Sequence, residues 1–282
     1  MSPASKSRGV SRRDLLKGAT AAGIGAAAGA FAHGYVYERH HLELTRETLH
    51  VSGLPPALTG LRIGLITDVH RSDAVPQELI ARAVRMVMRE APDLIVLGGD
   101  YVTWGDRHFV VPAAEALAPL AAPHGVYAVL GNHDDDRDMP AALGATGVVV
   151  LRDARTRLTI RGETLDLAGI RYWTRRITDI AHVLRGASPT VILLAHNPLR
   201  LAEAALLAVP LVLSGHTHGG QVVLPFIGAI AAREFPVVAG KGRRESTEIF
   251  VSRGIGTVYI PVRVNCPPEV AILTLEPVTP TG

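Results

Sequence analysis

From residue 61 onward, apolar runs of strand length keep ending on the same kinds of residue: aspartate, asparagine or histidine. The endings are Ile66-Thr67-Asp68-Val69-His70, Leu97-Gly98-Gly99-Asp100 and Leu130-Gly131-Asn132-His133-Asp134, then Leu194-Ala195-His196 and Leu213-Ser214-Gly215-His216-Thr217-His218. In α/β sheets the carboxyl ends of strands form the crevice where ligands bind. Five strand ends that each deliver an oxygen or imidazole donor there predict a converging metal site.

The segments between the early runs have helical spacing. Gln77–Glu90 places Leu79, Ile80, Ala83, Val84, Val87 and Met88 on one face, with Arg82, Arg85, Arg89 and Glu90 elsewhere on the wheel. Val111–Leu120 and Met139–Gly144 read the same way, following strands at Leu61–Thr67, Leu94–Leu97 and Val126–Leu130. Such β-α-β-α order predicts a largely parallel, buried sheet. The second half reads differently. Short strands at Thr156–Ile160 and Thr164–Ala168 flank a turn, and further strands fall at Val191–Ala195, Leu211–Ser214, Gln221–Leu224, Thr247–Ser252 and Val270–Leu275. Modest helices near Ile177–Leu184 and Leu199–Leu207 separate them, which predicts a second, mixed sheet packed on the first. No repeat or linker interrupts the chain after residue 60.

The donor types narrow the metal. Carboxylate, amide oxygen and imidazole together suit Mn, Fe or Zn rather than Ca, and no thiolate is present to demand zinc. Asp68 and His70 are two residues apart, as are His216 and His218, so on extended backbone each pair points one way. Glycines beside them fit tight turns around a crowded centre. The single cysteine, Cys266, excludes an intramolecular disulfide and reads as a small buried hydrophobe.

Charge points to the N-terminus. The chain has 29 Lys+Arg and 26 Asp+Glu, a formal net charge of +3. Lys6, Arg8, Arg12, Arg13 and Lys17 stand against Asp14 alone in residues 1–32; without these six, 24 basic and 25 acidic side chains remain, a net of −1. A polycationic nucleic-acid surface is therefore not expected. Ser11-Arg12-Arg13-Asp14-Leu15-Leu16-Lys17 resembles a twin-arginine export signal, followed by the uncharged run Gly18–Ala32 and a small-x-small site at Ala30-Phe31-Ala32. Those fifteen residues fall short of the ~20 needed to span a bilayer. The expected organisation is a signal over 1–32, a lead-in strand and linker over 33–60, a catalytic domain over 61–276 and a tail over 277–282. The expected partner of this segment is the twin-arginine translocation machinery, with peripheral association at the membrane. The expected location is the periplasm or cell envelope.

The ordered set of Asp-x-His, Gly-Asp, Gly-Asn-His-Asp, His and Gly-His-x-His resembles the calcineurin-like metallophosphoesterase superfamily over about residues 61–275. Ser214–Gln221, Ser252-Arg253-Gly254-Ile255-Gly256 and Arg263-x-Asn265-Cys266-Pro267-Pro268-Glu269 are similar to its exported, YkuE-like bacterial branch. The resemblance implies an α/β fold, a four-layer α/β/β/α sandwich of two mixed sheets with a dinuclear metal centre at the strand ends. It implies that Asp68, His70 and His218 hold one divalent ion (Mn, Fe or Zn), that Asn132, His196 and His216 hold the other, and that Asp100 bridges them. His133 would face the substrate as a catalytic residue, with Asp134 orienting it. Arg71, Arg253 and Arg263 are candidate phosphate contacts, and Trp104 and Trp173 candidate cleft residues. The implied partner is a phosphoester substrate, a lipid-linked one included, and the implied activity is hydrolysis of phosphodiesters or phosphomonoesters at the cell envelope. The alternative is a pyrophosphohydrolase acting on a nucleotide-linked lipid, and a non-catalytic scaffold is disfavoured by the complete donor set.

Overall fold

The computed structural model describes residues 11–278; Lys6, Arg8 and most of the expected tail lie outside the described residues. Helix α1 (Arg12–Val36) comes first, with the Ser11 hydroxyl accepting the Asp14 N–H at its start. Its Ala/Gly-rich length is exposed, and Gly34 is its one buried residue. Where a fifteen-residue apolar run is expected, the structure has a continuous helix of 25 residues, about 37 Å long at 1.5 Å per residue. The stretch Arg12–His40 is long and apolar enough to cross a membrane. The small-x-small site at Ala30–Ala32 lies inside that helix.

After α1 the order is β1 (Glu43–Val51), β2 (Arg62–Ile66), α2 (Gln77–Arg89), β3 (Leu94–Leu97), α3 (Val110–Leu117), β4 (Val126–Ala128), α4 (Asp138–Ala145) and β5 (Val149–Val150). The second half runs β6 (Ala154–Ile160), β7 (Glu163–Gly169), α5 (Ile177–Val183), β8 (Val191–Leu194), α6 (Leu201–Leu206) and β9 (Leu211–Ser214). It closes with β10 (Val223–Leu224), β11 (Gly228–Ala229), β12 (Gly240–Arg244), β13 (Thr247–Val251) and β14 (Glu269–Pro277).

Two six-stranded sheets result. The first has the order β1-β14-β2-β3-β4-β5, with β2 to β5 parallel and β14 antiparallel to β2. The second has the order β12-β13-β9-β8-β7-β6, parallel from β13 to β7 with antiparallel edges. Strand β3 shows why four layers form. Alternate residues point to opposite faces, so Leu94 and Val96 join a core with Leu167, Leu194, Leu213 and Phe250 of the other sheet. Ile95 and Leu97 instead join the core beneath α2, α3 and α4. A third core packs α5 and α6 on the outer face of the second sheet through Ile180, Leu201 and Ala204.

The strand expected in the lead-in, β1, is a full edge strand that pairs in parallel with β14 along its whole length. Gln221–Leu224 departs from expectation. Gln221 takes a left-handed backbone (φ 55°), and its side chain bonds the Val258 and Ile260 backbones. The chain turns there, Val222 bridges to Val264, and β10 pairs with β11 in a two-stranded sheet of its own. Two edge strands, β5 and β12, were not anticipated; Lys241, Arg243 and Arg244 on β12 carry no apolar alternation to mark it.

Candidate metal centre

The strand ends converge. Asp68, His70 and His218 bring one ligand atom each within 4.8 Å of one another, and Asp100, His196 and His216 do the same beside them. Asp100 Oδ2 lies 3.1 Å from His196 Nε2 and 3.6 Å from His70 Nε2, so this carboxylate stands between the two groups. His70 Nε2 and His218 Nε2 face each other at 3.1 Å.

The backbone reaches this arrangement by an unexpected route. Asp68, His70, Asp100, His216 and His218 all adopt left-handed φ, from 47° to 74°. The strands have ended before these residues, so the extended-backbone argument for each i, i+2 pair does not apply; tight turns aim the side chains instead. Such strain in non-glycine residues concentrates at functional sites. Close approach is equally severe: a Cβ on Gly131 would lie 2.0 Å from Asp100 Oδ1, and one on Gly215 2.3 Å from Asp68 Oδ2.

Hydrogen bonds fix the donors. His196 Nδ1–H donates to the Gly98 carbonyl at 2.7 Å, which in the neutral ring leaves Nε2 as a lone pair. Asn132 Oδ1 is buried without a hydrogen-bond partner, while His196 Nε2 meets Asp100 Oδ2 at 3.1 Å. The His216 N–H donates to both Asp68 carboxylate oxygens, at 3.0 and 3.1 Å, and His70 Nδ1 meets Thr103 Oγ1 at 3.1 Å.

Burial sets the protonation pattern. It holds His70 at about 4 and His216 at about 3, and drives His218 well below the usual imidazole range, so all three offer lone pairs at neutral pH. Burial raises Asp68 to about 6. For His196 burial also opposes the charge, but the Asp100 and Asp68 carboxylates outweigh it and lift the ring to about 10. Without a cation that ring carries its second proton on Nε2, facing Asp100 Oδ2; a bound ion would take the proton's place. Neutral imidazoles gathered with two buried carboxylates fit a pair of divalent cations.

His133 is buried beside this cluster, edge-on to His70 with ring centroids 5.0 Å apart. Its Nδ1 accepts the Trp104 N–H at 3.1 Å, so in the neutral ring Nε2 carries the proton. Asp134 does not orient this imidazole. Its carboxylate accepts backbone N–H groups of Asp100, Tyr101 and Gly131 at 2.7–2.9 Å, and of Val102 at 3.3 Å. It is a loop clamp, and burial lifts it to about 7.

The three candidate arginines are otherwise engaged. Arg71 donates to the carbonyls of Ser72 and Val75 in its own turn and lies over the Phe109 ring. Arg253 is bound by Glu269 and Glu43. Arg263 is completely buried and spends its donors on the carbonyls of Arg253, Gly254, Gly256 and Cys266. Arg263 therefore has no donor left for a phosphate, whereas Arg71 commits Nη1 and keeps an Nε without a partner. Cys266 is buried as expected, its thiol pushed up by burial.

Aromatic residues line the mouth. Trp104 packs on His133 and Tyr259, with centroids 4.3 and 5.4 Å apart. Trp173 reaches the site only through Tyr172, whose ring stands 5.3 Å from His216. Phe235 meets His216 edge-on at 5.3 Å. Tyr172, Phe235, Tyr259 and Thr103 were not anticipated. Tyr172 follows β7 much as the other site residues follow their strands, so its position was a readable signal; the loop residues Phe235 and Tyr259 have no such mark.

Two six-stranded sheets with a histidine–carboxylate cluster at their strand ends define an α/β protein with a candidate dinuclear metal centre. The chain belongs to the calcineurin-like phosphoesterase family, whose profile matches residues 61–220. It is similar to the uncharacterized metallophosphoesterase YkuE of Bacillus subtilis, 32% identical with 95% of this chain and 98% of that protein covered. It is also similar to the phosphodiesterase YaeI of Escherichia coli (31% identity, 94% and 99%). An uncharacterized metallophosphoesterase of Aquifex aeolicus is 34% identical over 88% of this chain and 96% of its own.

Proposed function

We propose that this chain hydrolyses phosphodiesters or phosphomonoesters at the cell envelope, using two divalent ions drawn from Mn, Fe and Zn. The observation that carries the proposal is the convergence of two buried histidine–carboxylate groups, Asp68 with His70 and His218 and Asp100 with His196 and His216, together with the buried, partnerless Asn132 Oδ1. Asp68, His70 and His218 would hold one ion and Asn132, His196 and His216 the other, with Asp100 standing between the two groups. When bound, such a pair supplies Lewis acidity and lowers the pKa of water toward neutrality. His133 provides an Nε2–H beside the phosphoryl position and protonates the departing oxygen. Trp104 holds that tautomer through its N–H, and Asp134 keeps the two loops in register. The phosphodiesterase name of the Escherichia coli relative supports a diester substrate.

The envelope assignment rests on the Arg12-Arg13 pair and on the helix of membrane-crossing length that this pair opens. Export by the twin-arginine route suits a protein whose site must be assembled before transport. The test is direct: purify the chain, measure bound metal, and assay mono-, di- and pyrophosphate esters. Two equivalents of metal with no turnover of any ester would overturn the proposal. Fractionating cells that express the chain, with Arg12→Lys/Arg13→Lys as comparison, tests the location; cytoplasmic retention of the native chain would refute it.

A further inference from the structure

A cleft of about 610 Å³ opens directly from the candidate centre, with His216 and His218 at its inner end. Beyond them its walls are apolar: Val222, Leu224 and Ile230 come from the β10–β11 region, Phe235 from the loop after it, and Tyr259 and Ile260 from the far side. No lysine or arginine is among the lining residues, and the one carboxylate, Glu234, repels anions. A second phosphate or a nucleic-acid backbone would meet no counter-charge there. The group that fits beyond the phosphoryl position is uncharged and apolar.

The rim has the same character. Phe226, in the β10–β11 turn, and Tyr259 both hold left-handed backbones (φ 64° and 62°), a conformation rare for such bulky residues. Phe226 is fully exposed and Tyr259 is 80% exposed, while Ile227, Ile230 and Ile260 are each about half exposed. An apolar surface held in water around a catalytic mouth marks an interaction site.

The membrane-length helix is fixed to the same part of the domain. Gly34 packs so closely that a Cβ there would lie 2.3 Å from the Arg263 carbonyl and 2.9 Å from Val262. Glu38 accepts the Cys266 N–H at 2.5 Å. The C-terminal end of α1 is thus anchored on the segment that continues from the cleft wall at Ile260.

We infer that the substrate is an amphiphilic phosphoester, with its phosphoryl group at the metal centre and its hydrocarbon chain in this cleft, taken from a lipid surface to which α1 tethers the domain. The inference rests on the phosphoesterase proposal and adds the substrate class.

The test uses the full chain, metal-loaded in mild detergent, with 4-nitrophenyl alkyl phosphodiesters from methyl to dodecyl, below their micelle concentrations. Full burial of one methylene contributes roughly fourfold in affinity; in this open cleft kcat/KM rises about a hundredfold across the series. Ile230→Ser/Ile260→Ser flattens that rise. In Trp173→Phe, where Trp104 is the one remaining tryptophan, dodecyl phosphate shifts the emission to the blue at concentrations where methyl phosphate has no effect. Equal kcat/KM for methyl and dodecyl esters would overturn the inference and leave the phosphoesterase proposal standing. Equal loss on both esters in the double variant would assign Ile230 and Ile260 to the fold and overturn it too. A failure of every ester at full metal loading would refute the phosphoesterase proposal, while the fluorescence response would still read the cleft.

Discussion

Asp134 and Asp100 hold each other's loops. The Asp134 carboxylate accepts the Asp100 N–H at 2.8 Å, and the Asp100 carboxylate accepts the His133 N–H at 2.8 Å. The ends of β3 and β4 are therefore locked in one register, with a candidate metal ligand on one side and the candidate acid on the other.

Asp134→Ala breaks this lock. It leaves four backbone N–H groups without their acceptor, and each buried orphan costs about 1–3 kcal/mol. The expected result is a loss of about 3 kcal/mol or more in denaturant unfolding, together with reduced metal content. Unchanged stability would mean that water replaces the carboxylate.

His133→Ala has a different signature. No candidate ligand is removed, so metal content stays at the native value. Loss of a positioned general acid lowers kcat by about 10²–10⁴-fold. The loss is greater for alkyl esters than for 4-nitrophenyl esters, whose leaving group needs little protonation. Equal losses on the two would remove His133 from the role of acid.

Gly131→Ala tests the close approach. The added Cβ would sit 2.0 Å from Asp100 Oδ1, so the carboxylate must move out of its position between the two groups. Metal analysis should show reduced occupancy in a protein whose circular dichroism stays native. Full occupancy would show that the Asp100 loop yields.

Arg253→Gln is expected to act on stability alone. It leaves Glu269, 2% exposed, without its counter-charge, and breaking a buried pair costs about 3 kcal/mol or more. The measurements are unfolding in urea and KM for an aryl phosphodiester, with KM unchanged. A raised KM at native stability would return Arg253 to the substrate.

Chelation should act on both activity and stability. Removing the cations leaves Asp68 and Asp100 buried side by side, so the apo protein melts several degrees lower, and activity returns on adding Mn, Fe or Zn. Ions that bind only the folded state stabilise it in proportion to their saturation, so the melting temperature should rise with metal concentration. A melt that ignores metal would argue against ligation by these residues.

The site's donors were legible because strand ends are readable: an apolar run stops and a polar residue follows. Asp68, Asp100, Asn132, His196 and His216 all carry that mark. The two-sheet architecture was readable from the change in spacing near residue 150. The arginines were not. Arg263 bonds carbonyls of residues 253–266 that a folded loop brings together, and a guanidinium looks the same in sequence whether it meets backbone or phosphate. Asp134 misled for a related reason, since adjacency to His133 suggested a side-chain partner while its acceptors turned toward backbone N–H groups of the next loop. The length of α1 was hidden because Gly- and Ala-rich sequence carries no periodicity that marks where a helix stops.

The position of β14 has a consequence for the order in which the molecule can be assembled. This strand comes last in the described chain, yet it lies between β1 and β2 and is the only strand that pairs with β1 among the described residues. During synthesis β1 therefore has no partner until residues 269–277 have left the ribosome. The Asp68 turn waits as well, because its carbonyl is met by the Gly256 N–H. Until then β2 to β5 can pair with one another while β1 stays without its partner, and the first sheet closes only when β14 enters between β1 and β2.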